Sequence, residues 1–295
     1  MKTIEIEVTE PIKLLELIEK TFPNSSRTKQ KEILAHRVVI ASRHITQYDF
    51  PLYKGMTVVI MGDENKNKMM GGRMPIVYED RHLVVVNKPV GILSSSGNPN
   101  DITVISEMND YFMKRRSRQR AHVVHRLDRD TSGLLLVAKT KEIARILEHN
   151  WKEQVYDRAY VGVMWGVPDP SEGTIRSWLT DGEFCVESSP VDNGGKLAVT
   201  HYKTINNNGR YAMMQFQLET GRRNQIRVHS REMGHPLLKD PMYGYKDDKS
   251  PLSRLALHAF KLCFRHPVTG EDIRLETPVP DEFLALFEKG KVKKQ

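Results

Sequence analysis

The sequence predicts an α+β fold whose larger part is a mainly antiparallel, mixed sheet with flanking helices. Three observations predict it. Strand-like runs dominate the second half of the chain, at Ala159 to Met164, Leu197 to Thr204 and Tyr211 to Leu218. They are joined by turns such as Asn206-Asn207-Asn208-Gly209, without the regular helical crossovers of a parallel sheet. A polar stretch with no sustained period, MGDENKNKMMGGRM at 61 to 74, separates this half from a small basic module in front.

The 295 residues suffice for one large domain and one small one, and 39% hydrophobic residues suffice for a core. No run has the apolar length of a membrane span. The start, MKTIEIEVTEP, alternates charged and apolar residues and lacks the apolar stretch of a signal peptide. Cys185 and Cys263 lie far apart without metal-ligand spacing, as expected of thiols in a reducing cytoplasm. A net charge of +8 and a pI near 9.3 favour a polyanionic partner.

Along the chain, Ile12 to Phe22 places Ile12, Leu14, Leu15, Leu17, Ile18 and Phe22 roughly on one helical face. Asn24-Ser25-Ser26 offers N-caps for a second helix through Leu34. Arg27, Lys29 and Lys31 open that helix, where cations and backbone donors can meet phosphate together. Arg37-Val38-Val39-Ile40 and Met56 to Ile60 read as short strands, with Gly55 as the turn before the second. Ser26-Arg27, Ile33-Leu34, Arg37 to Ile40 and Gly55 to Val58 together resemble a degenerate alpha-L RNA-binding domain. Lys13-Leu14-Leu15 and Ile40-Ala41-Ser42 stand where that family has Arg-Leu-Asp and Val-Asn-Gly.

Beyond the polar stretch, Ile76-Val77-Tyr78 and Leu83 to Val86 read as strands, and Lys88-Pro89 opens a loop from Gly91 to Asn100. A helix over Val104 to Met113 runs into Lys114-Arg115-Arg116-Ser117-Arg118-Gln119-Arg120, five cations in seven residues. Such a run is either a solvated tail or a polyanion contact, and its place just before the next motif favours contact. Phe283 to Lys289 suggests a short closing helix.

The chemistry concentrates in HRLDRDTSGLLLVAK, residues 125 to 139, where charged residues abut an apolar run, Leu134 to Ala138, that reads as a buried strand. Arginines beside a carboxylate lower its pKa, and an ionised, dry carboxylate is a usable nucleophile or base. A structural ion-pair loop would have the same composition. Metal binding by Asp128 and Asp130 lacks supporting ligands at metal spacing. A second charged stretch, Thr220 to Gly244, carries Arg222, Arg223 and Arg227 beside an alternating run, Gln225 to His229, that reads as a strand. Arginines of one stretch can neutralise carboxylates of the other, which makes Arg227 a candidate partner of Asp128.

These motifs, in order, resemble the RNA pseudouridine synthases whose hallmark is His-Arg-Leu-Asp. The resemblance covers Tyr78-Glu79-Asp80, Val86 to Gly91, His125 to Asp128 with Thr131 to Leu135, and Arg158-Ala159-Tyr160. It continues through Thr220-Gly221-Arg222, Gln225 to His229, Gly234-His235-Pro236, Asp240, Tyr243-Gly244, Leu257-His258-Ala259 and His266-Pro267. It implies an alpha-L-like domain at 1–68, a linker at 69–74, a catalytic domain with a central active-site cleft at 75–290, and a basic tail at 291–295. It further implies Asp128 as the catalytic aspartate, Tyr160 as the tyrosine that packs on the target base, and Arg227 as the basic partner of the aspartate. Arg126 is implied as the arginine that enters the RNA, with Arg222, Arg223, Arg27, Lys29, Lys31, Arg115 and Arg116 as further RNA contacts. The reaction is a rearrangement, so no cofactor and no metal is expected. The expected enzyme is a cytoplasmic monomer acting on RNA, ribosomal first and transfer RNA second, with no membrane partner. Rival readings are an RNA-binding assembly factor on the same fold and a metal-dependent nuclease. Arg223-Asn224 replaces a usual Thr-His, Gly162 a common alanine, and Lys239 a usual glycine before Asp240.

Overall fold

A computed structural model describes residues 4–23, 25–27, 30, 33–34, 38–40, 43–44, 50–60, 74–98 and 101–288. It divides into two units, Met1–Ile76 and Val77–Gln295. The first contains β1 (Ile4–Glu7), β2 (Ile12–Lys13), α1 (Leu14–Thr21), β3 (Val38–Ile40), β4 (Arg43–His44), β5 (Pro51–Leu52) and β6 (Thr57–Ile60). The alternation of the N-terminus becomes β1, with half-buried isoleucines and exposed glutamates. It leads a sheet ordered β1-β6-β3-β4. The helix expected from Ile12 begins two residues later, because Ile12 and Lys13 pair with Leu52 and Pro51. Leu14, Leu17 and Ile18 of α1 join Ile33, Leu34, Leu52, Val58 and Ile60 in this unit's core. Of the second expected helix, Arg27, Gln30, Ile33 and Leu34 are helical, and Arg27 is exposed. Asn24, Lys29, Lys31, most of the polar stretch (61–73) and the tail from 289 lie outside the described residues.

The boundary falls within β7 (Ile76–Glu79), and the second unit continues with β8 (Leu83–Lys88), α2 (Val104–Lys114), β9 (His122–Val123), β10 (Ser132–Ala138), α3 (Lys141–His149) and α4 (Trp151–Gln154). It continues with β11 (Val155–Trp165), β12 (Glu172–Asp181), β13 (Val186–Ser189), β14 (Lys196–Asn207), β15 (Tyr211–Leu218) and α5 (Gln225–Glu232). The last elements are β16 (Leu257–Arg265), β17 (Asp272–Glu276) and α6 (Asp281–Leu284). Among the described residues the strands form one eleven-stranded sheet, ordered β13-β12-β14-β15-β11-β16-β10-β8-β7, with β17 on β16 and β9 on β10. From β13 across to β8, and for β9 and β17, the pairings are antiparallel except β10 with β16. The expected mixed, mainly antiparallel α+β fold is what the chain adopts. The closing helix is shorter than expected. It ends at Leu284, and wholly buried Phe283 seats it.

The apolar run after the charged motif is β10, and all seven of its residues are buried. Leu134, Leu136 and Ala138 pack with Leu83 and Val85 of β8 and with Ile143, Ala144 and Leu147 of α3. Each leucine, isoleucine or valine among them stabilises the fold by about 1.5–3 kcal/mol. The run Gln225 to His229 is helical, not extended. Five residues with apolar Ile226 and Val228 satisfy period 2, but the helix buries Gln225 through Ser230 on every side. Its polar groups are bonded instead of exposed. His229 bonds Ser177 (3.0 Å) and Thr200 (2.8 Å), and Gln225 Nε2 donates to Val199 O (3.0 Å).

One row of residues crosses five strands: Phe216, Tyr160, Ala259, Gly133 and Lys88 are successive partners. Gly133 makes this possible. Its φ is +117°, and a Cβ there would lie 2.6 Å from the Ala259 nitrogen, inside the neighbouring backbone. Gly133→Ala must therefore push β10 from β16. The expected cost is above about 3 kcal/mol, in the tail of single-substitution effects. Denaturant titration checks it, and a midpoint within error of the parent's would refute the close approach.

Candidate active site

The segment from His125 to Asp130 is anchored at alternate residues. His125 Nε2 accepts the Leu136 N–H (2.9 Å) on the flank of β10 that β16 pairs with only at Ser132 and Gly133. Leu127 exchanges bonds with buried Ser94, donating to its Oγ (3.0 Å) and accepting from it (2.8 Å). The carbonyl of Arg129 accepts from Gly91 N–H (2.9 Å) and from Lys88 Nζ (3.0 Å). Arg126 and Asp128 fall between these anchors, and both line a cleft of about 860 Å³. Tyr160 and Arg158 of β11, Thr220 to Arg223, and Ile226 and Arg227 of α5 line it as well. The structure thus brings Asp128, Tyr160, Arg227, Arg126, Arg222 and Arg223 to one place.

His125 is not part of a charged cluster. Burial, with the Arg158 charge beside it, pushes its pKa down to about 3. Accepting at Nε2 then fixes the proton on Nδ1, and the ring packs 4.9 Å from that of Trp151.

Asp128 corrects an expectation too. Burial raises its carboxyl above the ordinary range, against the pull of Arg227, Arg126, the Asn224 N–H and Lys88. The neighbouring cations reduce the cost of desolvation without overcoming it. Arg227 contributes its field, but its fork is engaged elsewhere. Buried Arg227 holds Asp240 through two bonds, Nε to Oδ2 (2.8 Å) and Nη2 to Oδ1 (2.7 Å). Its Nη1 donates to Asn224 Oδ1 (3.1 Å). Asp240 also accepts the N–H groups of Met242 and Tyr243 (both 2.9 Å), so the pair is satisfied on both sides. The direct partner of Arg227 is Asp240, and Asp128 feels its charge from beyond that contact.

Two departures in sequence now have a structural meaning. Asn224 and Lys239 both take left-handed backbone, with φ of +54° and +55°. Asparagine tolerates that conformation, and it turns the Asn224 N–H onto Asp128. Lys239 adopts it where glycine is usual, held by Asp248 through its N–H (2.6 Å) and its Nζ (2.8 Å to the carbonyl). Asn224 and Asp240 are the residues whose importance sequence reasoning missed. Lys88 is a third, wholly buried and donating to the carbonyls of Pro89 (3.0 Å), Ile92 (2.8 Å) and Arg129. Desolvation brings its pKa down to about 7 although Asp128 and Asp130 favour its charge.

Tyr160 is buried, and burial raises its phenol, opposed by Arg158 and reinforced by Asp128, so it stays neutral. Arg222 is tied to the Leu197 carbonyl (3.1 Å) and Arg223 to Asp181 (3.1 Å). Arg115 and Arg116 do not line the cleft. They follow α2, and Arg115 lies over Tyr111 (4.8 Å) and beside Glu79 (3.5 Å). Glu79 also holds Lys139, just past the far end of β10, roughly 20 Å of strand from the Asp128 end at ~3.3 Å per residue.

A cleft with a half-buried carboxyl, a neutral tyrosine and a rim of arginines suits a polyanionic substrate. The comparisons with known proteins agree. The family model for RNA pseudouridylate synthase matches residues 82–232, and the chain belongs to that family. It is a pseudouridine synthase, an isomerase. An uncharacterized RNA pseudouridine synthase of Synechocystis is 38% identical over 72% of this chain and 68% of its own. Ribosomal large subunit pseudouridine synthase D of Haemophilus influenzae is 32% identical over 93% of this chain and 90% of its own. Among solved structures, human RNA pseudouridylate synthase domain containing 1 superposes with a TM-score of 0.57 at 26% identity, covering 70% of this chain and 83% of that one.

A raised carboxyl has a consequence for stability. The folded chain binds the Asp128 proton more tightly than the unfolded chain does. Stability therefore falls as pH rises from the ordinary carboxylate range through the raised value. Asp128→Asn removes the charge that must be desolvated, so its melting temperature at pH 7 should exceed the parent's. Each 1 kcal/mol relieved reads as about 2–4 °C, and the difference should close in acid. Melting curves across pH check this, and a variant that melts below the parent at pH 7 contradicts it.

Proposed function

We propose that this enzyme converts uridines of structured RNA to pseudouridine by flipping the target nucleotide into the cleft and acting on it through Asp128. Large-subunit ribosomal RNA is the proposed substrate, supported by relatives whose names carry that target and which match nearly the whole chain. The observation that carries the reading is the joint presence of Asp128 and Tyr160 in one cleft under a field of arginines.

Unstacking the uridine costs a few kcal/mol, least in a loop or a poorly paired site. Arg126, exposed in the cleft wall, offsets part of that by entering the gap and meeting phosphate. Asp128 then attacks the anomeric carbon or abstracts a sugar proton, and both routes need it ionised. Arg227, Arg126 and the Asn224 N–H supply the positive field that the ionised form requires. Neutral Tyr160 supports the uracil while it turns to reattach through carbon 5, and water kept out of the cleft prevents hydrolysis of the detached sugar. Arg222 and Arg223 serve the backbone on either side of the target. Arg27, Lys29 and Lys31 extend the grip through the first unit, and Arg115 and Arg116 through a stem reaching past the far end of β10.

Asp128→Asn should abolish pseudouridine formation while changing RNA affinity no more than a few-fold, since one carboxylate is a small part of a polyanion interface. Normal turnover by this variant would remove Asp128 from the mechanism. Unchanged turnover-independent functions alongside lost isomerisation would speak for an assembly role.

Arg227→Met should raise the Asp128 pKa further, so the acid limb of the single-turnover rate moves to higher pH and the rate at neutral pH drops at least tenfold. Recovery with rising pH separates loss of charge from loss of position. Arg227→Lys should retain more activity because it keeps the charge without the planar fork. A parent-like pH–rate profile for Arg227→Met would assign the field to Arg126, the Asn224 N–H and Lys88 instead.

A further inference from the structure

The cleft extends past the catalytic pair. From Tyr160 it continues along β11 through Arg158 to Tyr156, beside Trp151 and Lys152. Tyr156 is 44% exposed, an aromatic ring left open inside a cationic groove. Its position has a backbone cause. Val155 pairs with Phe264 and Asp157 with Cys263, so Tyr156 is the extra residue of a β-bulge in β11. A bulge frees one side chain from the strand's alternation and re-aims it. The phenol lies beside the guanidinium of Arg274 on β17 and favours its charge. Trp151 is unlike it. The His125 ring lies 4.9 Å from one side and the Arg158 guanidinium lies over it at 5.4 Å, so Trp151 is wall.

An exposed ring among cations is what stacking of an unpaired base requires. Tyr156 stands four residues from Tyr160, about 13 Å along the strand at ~3.3 Å per residue. That exceeds the ~3.4 Å step between stacked bases several-fold. A base on Tyr156 is therefore neither the target nor a base still stacked on it. We infer that Tyr156 is the platform of a second subsite, which takes the base of an unpaired nucleotide flanking the target uridine. The inference rests on the reading that the cleft receives a flipped uridine. Its consequence is a structural preference: the target must have an unpaired neighbour on one side, whatever that neighbour's identity, because every base has a π-face.

Binding of small probes tests this without turnover. The probes are uridine 5′-monophosphate, the trinucleotide UpUpU, and UpUpU made abasic at its first or its last position. Binding is followed by calorimetry with the full chain. The parent should bind UpUpU tighter than the mononucleotide, and one of the two abasic probes should lose about tenfold. Tyr156→Ala should lose the same factor on UpUpU and nothing more on that abasic probe. Tyr156→Phe should keep the parent's preference, and all variants should melt with the parent. Additive losses from Tyr156→Ala and the abasic position, or parent-like UpUpU binding by Tyr156→Ala, overturn the subsite. Failure of the mononucleotide to bind the parent would instead overturn the flipped-uridine reading beneath it.

Discussion

The site depends on one contact between backbones. Gly133 of β10 and Ala259 of β16 approach so closely that a methyl group between them has no room. This is where β10 meets β16 in parallel, over Ser132 and Gly133. It draws β8, β10, β16, β11 and β15 into register along one row. Lys88 and Tyr160 end up on either side of the turn that carries Asp128. A side chain at 133 would push β16, and with it the β11 that supplies the tyrosine, away from the strand that follows the aspartate.

Around that row the site works by opposing two large effects. Burial disfavours the ionised form of Asp128, and a partly shielded set of cations opposes burial. The cations must themselves be held in place, which explains the engagement of Arg227 with Asp240. A guanidinium fixed by two bonds to a second carboxylate keeps its position whether or not Asp128 carries a proton. Asn224 serves both ends, accepting from Arg227 through its side chain and turning its backbone N–H toward Asp128.

The strands were legible because period 2 and apolar runs survive in the sequence, as at Leu83 to Val86 and Tyr211 to Leu218. The residues lining the cleft were legible through His125 to Asp128 and Thr220 to Arg227, which repeat a family's order. What stayed hidden depended on burial and backbone angle. Gln225 to His229 mimicked a strand because a buried helix with bonded polar groups shows no polar face. The raised carboxyl of Asp128 was illegible since desolvation is a property of the folded cleft, while neighbouring arginines are visible in the chain. Asp240 could not be matched to Arg227 across thirteen residues, and a left-handed Asn224 leaves no more trace than its own side chain. The bulge at Tyr156 was invisible for the same reason, because the extra residue sits inside an unbroken strand.

Lys88 gives the site a tie of a different kind. Its ammonium is wholly buried and is held by the carbonyls of Pro89, Ile92 and Arg129. An ammonium has three hydrogens to donate and a neutral amine two, so loss of the proton would free one of those carbonyls. The proton on Lys88 is thus a fastening between the loop that follows β8 and the turn that carries Asp128.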